Sequence, residues 1–247
     1  MPLGRLLRDL ADFCYPPICE VCNNPAVRWP LCDPCLQGLE RIESQPYCHR
    51  CAMPLSEQGA PCPYCRGCGL HPFGKVLRLC NFEDPIKPLL HRLKFRHDWA
   101  LGEFLADRLF ASGPVRSLLE QCDALVPVPL HPFRQITRGY NQSQIIARRL
   151  AKLSRQAVLK PAIRLKHTRP QTAAQSRSQR AANVRRAFGL LKPQLVEGRR
   201  IVVIDDVRTT AATLQAFGRC LLDAKPASLD AVVIAVSDWR HADFTRI

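Results

Sequence analysis

The stretch RIVVIDDVRTTAATLQAF, from Arg200 to Phe217, joins an aliphatic run to two adjacent carboxylates and then to a turn rich in threonine. An aliphatic run of this length is typical of a buried strand. The small residues and threonines that follow, ahead of a new apolar pattern, predict a turn into a helix. Strand, acid pair, turn and helix in this order predict one unit of a parallel α/β sheet.

The surrounding sequence alternates in the same way. Short apolar runs predict strands in CDALVPVPL and LDAVVIAVS, with a weak strand near residues 157–159. Helical periodicity marks IKPLLHRLKF, LGEFLADRLF and NQSQIIARRLAKLSR, the last with Asn141 as its cap. Strands that alternate with helices predict a parallel sheet with right-handed crossovers, which we expect over residues 81–247.

Composition describes a folded chain with an uneven charge. Of the 247 residues 47% are hydrophobic, yet no apolar run reaches the length of a membrane span. Charges interrupt the opening MPLGRLLRDLADF, unlike a secretory signal, so we expect a cytoplasmic protein. Residues 131–200 hold seventeen Lys or Arg and one acid, Glu197, a net charge of +16 against +15 for the whole chain. This segment predicts anionic ligands, whether phosphorylated small molecules, nucleic acid or acidic partners.

Cysteine pairs dominate the N-terminal third. Eleven of the thirteen cysteines precede residue 81, and eight of them form four Cys-x-x-Cys pairs: Cys19/Cys22, Cys32/Cys35, Cys48/Cys51 and Cys62/Cys65. In a reducing compartment this density favours zinc over a disulfide framework, a thioredoxin-like redox pair or simple burial. We therefore expect residues 1–80 to form a double zinc ribbon with a short N-terminal helix and two structural Zn²⁺ sites. Sequential pairing of the four motifs is the primary expectation, and a crossed arrangement is the alternative.

The acid pair and the threonine turn predict a site for a sugar phosphate. Ligands of open α/β sheets bind beyond the carboxyl ends of the strands, where Asp205 and Asp206 lie. Free backbone N–H groups and the helix dipole at Thr209–Thr213 favour a phosphate. The carboxylates would repel this phosphate unless a group lies between them. A ribose can lie there, because its hydroxyls donate hydrogen bonds to the acids while its 5-phosphate binds the turn. The alternative is that the acids cap the helix and the threonines merely fill its first turn.

VVIDDVRTTAATL also resembles the phosphoribosyl-pyrophosphate signature of type I phosphoribosyltransferases. Together with VPVPLHPFRQITRGYNQSQIIARRLA, the Arg164/Thr168/Gln171 series, RAANVRRAF and the cysteine pairs, it makes nearly the whole chain resemble the ComF family. These are competence-associated proteins, also grouped with the GntX type. The resemblance implies a parallel-sheet type I phosphoribosyltransferase fold behind the small cysteine-rich double zinc ribbon.

The resemblance also implies a set of ligand contacts. Asp205 and Asp206 would bind the ribose hydroxyls, and Mg²⁺ would bridge pyrophosphate and ribose oxygens. The 5-phosphate would lie against the turn, formed by Thr209, Thr210, Ala211, Ala212 and Thr213. The loop after the first strand, about Pro129 to Tyr140, would hold the pyrophosphate, with Arg134 and Arg138 as candidate contacts. Residues 164–180 would form the loop that closes over the substrate, with Arg164, Lys166 and Arg180 as its basic residues. Two positions depart from the pattern: Ala211 stands where glycine is usual, and Arg208 where the residue is more often apolar or small.

The resemblance implies a phosphoribosyltransferase-like protein that binds phosphoribosyl pyrophosphate with Mg²⁺ and is linked to DNA uptake in natural transformation. The acceptor is unknown, turnover as a glycosyltransferase of pentosyl groups stays open, and no catalytic residue is assigned. A glutamine amidotransferase is not expected, because such enzymes expose a catalytic cysteine at the mature N-terminus and here Pro2 follows Met1. The alternative is a non-catalytic adaptor of the competence machinery that binds single-stranded DNA or a helicase. Residues 131–200 offer few aromatic partners for such a strand: Phe133, Tyr140 and Phe188.

Overall fold

A computed structural model describes residues 17–27, 29–96, 98–165 and 187–237. Its core is a five-stranded parallel sheet with the strand order β1-β7-β6-β2-β3. The strands of this sheet are β1 (Val76–Asn81), β2 (Ala124–Pro127), β3 (Ala157–Val158), β6 (Arg200–Arg208) and β7 (Ser228–Val236). A separate antiparallel pair joins β4 (Ala162–Arg164) to β5 (Phe188–Leu190). The parallel α/β architecture predicted from the sequence is confirmed.

Seven helices lie within the described residues. They are α1 (Asp33–Glu43), α2 (Ile86–Phe95), α3 (Trp99–Ala111), α4 (Gly113–Gln121), α5 (Pro132–Arg138), α6 (Gln142–Ser154) and α7 (Ala212–Leu222), with a short 3₁₀ turn at Pro193–Leu195. Helix α6 connects β2 to β3, and α7 connects β6 to β7. In the part of the chain that is described, no helix has the length and apolarity needed to cross a membrane.

The central strands are buried because their side chains are apolar on both faces. Residues 201–204 of β6 and 231–236 of β7 are almost wholly inaccessible. Continuous apolar runs of this kind are typical of parallel strands covered by helices on both sides of the sheet. Residues 201–204, the aliphatic part of the sequence RIVVIDDVRTTAATLQAF, therefore form the middle of the core, with β7 on one side and β2 on the other.

Strand β6 continues past the point at which the sequence predicts its end. Its pairing with β2 stops at Ile204, but its pairing with β7 continues through Asp205 to Arg208. The two acids are therefore held by β7 on one side and open on the side that β2 has left. This opening lies between β2 and β6, where the strand order reverses and ligands of such sheets bind.

Two elements of the N-terminal region were not predicted. Helix α1 lies between the second and third cysteine pairs, and its Leu39 and Ile42 are buried. Strand β1 begins at Val76, pairs with β7 and crosses the boundary that the sequence places between residues 80 and 81. The expected short N-terminal helix lies outside the described residues.

The start of α6 differs from its prediction in detail. Asn141 occupies the capping position, as expected, but its side chain makes no capping hydrogen bond. Its amide nitrogen instead donates to the carbonyl oxygen of Val128 at 2.9 Å. Asn141 thus fixes the loop that leaves β2 against the beginning of α6, and both segments border the opening beside β6.

Candidate functional site

A pocket of about 290 Å³ fills the opening at the carboxyl ends of β2 and β6. Its walls come from the end of α2, the loop after β2, helix α5, the start of α6, strand β4 and the turn into α7. Segments far apart in the sequence therefore meet at one edge of the sheet. Most of the residues that the sequence nominated as ligand contacts line this pocket.

The two acids at the base of the pocket have different partners. Asp205 Oδ1 accepts hydrogen bonds from Ser143 Oγ at 3.0 Å and from the backbone N–H of Asp206 at 2.9 Å. Asp206 Oδ2 forms an ion pair with Lys94 Nζ at 2.9 Å, and its Oδ1 accepts from the backbone N–H of Val207. One acid is therefore held by neutral donors and the other by a cation.

This difference separates the pKa values of the two carboxyl groups. Burial raises the pKa of Asp205 to about 7, and the adjacent charge of Asp206 adds to the effect. Burial alone would raise the pKa of Asp206 too, but the ion pair with Lys94 outweighs it and holds that pKa below its ordinary value. The free site can consequently hold one proton and one carboxylate on adjacent residues near neutral pH.

The threonine turn also borders the pocket. Thr209, Ala211 and Thr213 line the pocket, whereas Thr210 and Ala212 belong to the same turn without lining it. Helix α7 begins at Ala212, so its first N–H groups lack carbonyl partners within the helix. Ala211 adopts a left-handed conformation with φ of 63°, which glycine adopts at lower cost. This left-handed conformation explains why glycine is usual at this position of the signature, and Ala211 adopts it under strain.

Three of the nominated basic residues also line the pocket. Arg134, Arg138 and Arg164 all line it, while Lys166 and Arg180 lie outside the described residues. The guanidinium of Arg138 stacks over the ring of Phe95 with 5.1 Å between the guanidinium carbon and the ring centroid. That of Arg164 lies 5.5 Å from the centroid of Phe188. Burial lowers the pKa of Arg138 and of Arg164.

Sequence reasoning missed three polar residues of the pocket: Lys94, Gln142 and Ser143. Lys94 lies in the last turn of α2, a helix that the sequence indicates only by its apolar face, and nothing in the neighbouring sequence shows that its amine reaches β6. Gln142 and Ser143 follow the capping position of α6. Only the packing of this helix shows that Ser143 contacts Asp205 and that Gln142 lines the pocket. Gln142 is almost wholly buried, and its Nε2 has no hydrogen-bond partner among the described residues.

Arg208, the second departure from the signature, has a tertiary explanation. It is buried at the end of β6, lines the pocket and directs a guanidinium nitrogen to Met53 Sδ. Met53 lies two residues beyond Cys51, within the N-terminal cysteine region. The long side chain at this position therefore joins the sheet to that region.

The eight paired cysteines form two clusters in sequential order. Within each cluster all four sulfur atoms lie within 4.8 Å of one another; the first cluster is Cys19, Cys22, Cys32 and Cys35, and the second is Cys48, Cys51, Cys62 and Cys65. Three of the Sγ–Sγ distances are 3.5, 3.6 and 3.8 Å. Four sulfurs at about 2.3 Å from one Zn²⁺ lie about 3.8 Å apart in a tetrahedron, so the geometry fits zinc. Four thiolates complete the coordination shell and give each ion a structural role.

Comparison with known proteins identifies both parts of the chain. Residues 10–74 match the family model of the double zinc ribbon domain, and residues 137–242 match that of the phosphoribosyl transferase domain. The chain is 30% identical over 199 residues to competence protein F of Haemophilus influenzae, covering 77% of this chain and 83% of the relative. It is 28% identical over 213 residues to the DNA utilization protein YhgH of Escherichia coli K12, covering 84% and 91%. Competence protein ComFC of Bacillus subtilis is 29% identical over 215 residues, with 83% of each chain covered.

Fold and site together define a protein with a phosphoribosyltransferase-type α/β domain and an N-terminal double zinc ribbon. The relatives match most of the chain. The chain belongs to the ComF family of competence proteins, as its sequence motifs indicated.

Proposed function

We propose that this protein binds phosphoribosyl pyrophosphate with Mg²⁺ in the pocket between β2 and β6. The observation that carries the proposal is the meeting of two carboxylates, a helix N-terminus with threonines and three arginines around one pocket. The carboxylates suit sugar hydroxyls, and the other groups suit phosphates. A ligand that bears both kinds of group satisfies the whole set.

The ligand's orientation follows from the positions of these groups. Its 5-phosphate would lie against Thr209–Thr213, where free N–H groups, hydroxyls and the helix dipole favour an anion. Its 2- and 3-hydroxyls would donate to Asp205 and Asp206, and its pyrophosphate would face Arg134 and Arg138. Gln142 Nε2, buried without a partner in the described part of the chain, would donate to a ligand oxygen and so recover its desolvation cost.

Mg²⁺ would accompany the pyrophosphate, and the carboxylates of Asp205 and Asp206 provide the oxygen ligands that such a hard cation prefers. When bound, Mg²⁺ would neutralise charge on the leaving group. Lys94 holds Asp206 in the free protein at 2.9 Å. Its ammonium would therefore leave that carboxylate as the ligand enters and become available to a phosphate oxygen.

If transfer takes place, the chemical step is departure of pyrophosphate from C1 of the ribose and attack by a nitrogen nucleophile. The residues of the pocket would position the sugar and stabilise the leaving anion, as in reactions governed by electrostatic preorganisation. The acceptor and its binding group are not assigned.

We also propose that this binding function is linked to DNA uptake. The motivation is that relatives covering most of the chain are named competence protein F, competence protein ComFC and DNA utilization protein. A second candidate is a non-catalytic protein that binds single-stranded DNA. It is favoured by exposed Phe95, Trp99 and Phe133 beside the cationic helix α5, because exposed aromatics near cations suit unstacked bases.

Calorimetric titration of phosphoribosyl pyrophosphate, with and without Mg²⁺, tests the proposal. The double variant Asp205→Asn/Asp206→Asn should lose at least about a hundredfold in affinity, since each charge-assisted hydrogen bond contributes about 1.5–3 kcal/mol. A control with the same change of charge at exposed positions, Glu57→Gln/Asp223→Asn, should bind as the wild type does. Equal affinities for wild type and Asp205→Asn/Asp206→Asn would exclude the ribose assignment. Strong salt-dependent binding of single-stranded DNA without any response to the sugar phosphate would favour the second candidate.

A further inference from the structure

We infer that the second cysteine cluster and the threonine turn are energetically linked, so that metal in the cluster and an anion in the pocket each favour binding of the other. Arg208 and Met53 act as positioning residues in this linkage. The ligand half of the inference rests on the proposed function. The connection between Arg208 and the second cluster rests on contacts of the free protein. It can be tested without ligand, separately from the effect of the ligand.

The first connection runs through the end of β6. Arg208 immediately precedes the threonine turn, and its carbonyl oxygen accepts from the N–H of Ser237 at 3.0 Å. Its buried side chain reaches Met53 Sδ. Both the backbone and the side chain of Arg208 are thus held, and a shift of Met53 would be transmitted to the first residues of the turn.

The second connection runs through α7, which continues from the other end of the turn. A methyl group placed on Gly218 would lie 2.7 Å from Phe73 Cζ and 2.8 Å from Pro72 Cγ, so this helix packs directly on the segment that leaves the second ribbon. The side-chain amide of Gln215 donates to the carbonyl oxygen of His71 at 3.3 Å. The threonine turn is therefore bracketed by two elements that both rest on the ribbon.

The contacting residues of the ribbon are in turn fixed by its cysteine loop, residues 48–53. The N–H of Cys48 donates to the carbonyl oxygen of Met53 at 2.9 Å. Within the same loop, the carbonyl oxygens of His49 and Arg50 accept from the N–H groups of Val76 and Leu70 at 2.8 and 3.1 Å. Metal at the four cysteines closes this loop, and the closed loop sets the positions of Met53 and of residues 70–76.

The first cluster reaches the pocket less directly. Glu20, within its first cysteine loop, forms an ion pair with Arg92 of α2, two residues before Lys94. Arg92 contacts this part of the chain through side chains alone, those of Glu20 and Asn23, whereas backbone hydrogen bonds join the second cysteine loop to residues 70–76. The two clusters of one molecule therefore provide an internal comparison: linkage should be strong for the second and weak for the first.

The experiment measures how fast each cluster loses zinc in the intact chain. Zinc-loaded protein is mixed with a zinc-selective chelator that leaves Mg²⁺ in solution, free thiols are alkylated at intervals, and peptide mapping assigns each modified cysteine to its cluster. Without ligand, Arg208→Met should accelerate modification of the second cluster at least about threefold relative to the first. Arg208→Lys, which keeps the charge, should give an intermediate rate. Arg200→Met, an exposed arginine at the other end of β6, should leave the ratio unchanged.

Addition of phosphoribosyl pyrophosphate with Mg²⁺ tests the ligand half. Coupling between sites is reciprocal and typically amounts to about 5–150-fold, so ligand should slow modification of the second cluster at least about fivefold and of the first much less. Equal rate ratios in wild type and Arg208→Met overturn the Arg208–Met53 connection whatever the ligand does. Calorimetric binding without protection of the second cluster overturns the inference and leaves the proposed function intact. Absence of binding overturns the proposed function and, with it, the predicted effect of the ligand on the second cluster. The ligand-free comparison of wild type with Arg208→Met still decides whether Arg208 and Met53 connect the sheet to that cluster. If Arg208→Met fails to fold, Met53→Leu replaces it.

Discussion

Replacing Asp205 by asparagine should stabilise the protein at alkaline pH while removing a group of the proposed ligand site. Burial and the charge of Asp206 raise the pKa of Asp205 from its ordinary 3.8 to about 7. The native state therefore keeps a proton that the unfolded chain releases between these values. The contribution of this group to stability is complete below about pH 4 and is lost as pH rises through about 7.

The magnitude follows from the size of that shift. About three pKa units at about 1.36 kcal/mol each set a ceiling of roughly 4 kcal/mol on the cost of the buried charge above pH 7. Solvent in the pocket screens part of this cost, and asparagine keeps an oxygen to accept from Ser143 Oγ and from the N–H of Asp206. We expect Asp205→Asn to gain about 1–2 kcal/mol at pH 8, which corresponds to a rise in Tm of about 2–8 °C for a chain of this size.

Asp206→Asn is the matched control, because its effect should have the opposite sign. The pKa of Asp206 is lowered, so this carboxylate contributes stability above its unfolded pKa and loses it as pH falls through the folded value. At pH 8 its replacement leaves the ammonium of Lys94 partly buried without its counter-ion, and Tm should fall.

Thermal unfolding of the three zinc-loaded proteins, followed between pH 5.5 and 8.5 to keep the thiolates ligated, gives the test. The Tm difference between Asp205→Asn and wild type should grow as pH rises through 7. The reasoning is refuted if both asparagine variants shift Tm in the same direction at pH 8, or if the gain of Asp205→Asn does not depend on pH.

Three further predictions concern packing, backbone strain and metal. Gly218→Ala should cost about 1–3 kcal/mol in unfolding free energy because the methyl group meets Phe73, whereas Gly113→Ala, with open space around it, should be close to neutral in the same denaturant titration. Ala211→Gly should relieve the left-handed strain and tighten phosphate binding by calorimetry, whereas Ala212→Gly, in the first turn of α7, should cost about 0.5–1 kcal/mol of stability; equal effects of the two would contradict the strain at φ 63°. Removal of zinc should lower Tm by several degrees and release two equivalents of metal to a chromophoric chelator, and a release of one equivalent would rule out paired structural sites.

The parallel sheet and its acid-bearing strand were predictable because their signals are local. A run such as residues 201–204 is apolar on both faces, and such a run is stable only when helices cover both sides of a sheet. The signature that follows it sets the backbone of a strand, a turn and a helix start within fourteen residues or so. The Cys-x-x-Cys pairs are equally local, since each one directs two sulfurs toward one point whatever the rest of the chain does.

The partners of the acids were not predictable, because they come from other parts of the chain. Lys94 and Ser143 lie on helices whose sequence signal is an apolar face, and only the packing of those helices brings their polar atoms to Asp206 and Asp205. The separation of the two acids in pKa follows from those contacts and from burial. Two adjacent aspartates in a sequence do not by themselves indicate that their pKa values differ.

The sequence by itself determined the class of fold, the four Cys-x-x-Cys motifs of the ribbons and the acids and threonines of the proposed ligand site. Local spacing controls each of these, since neighbours in the chain are neighbours in the strand, turn or cysteine loop. Only the tertiary structure decided that Arg208 turns toward Met53, that α7 rests on Phe73, and that a ribbon and a pocket share one interface. Contacts between residues about 150 positions apart depend on how whole elements pack, and no pattern within either segment encodes them.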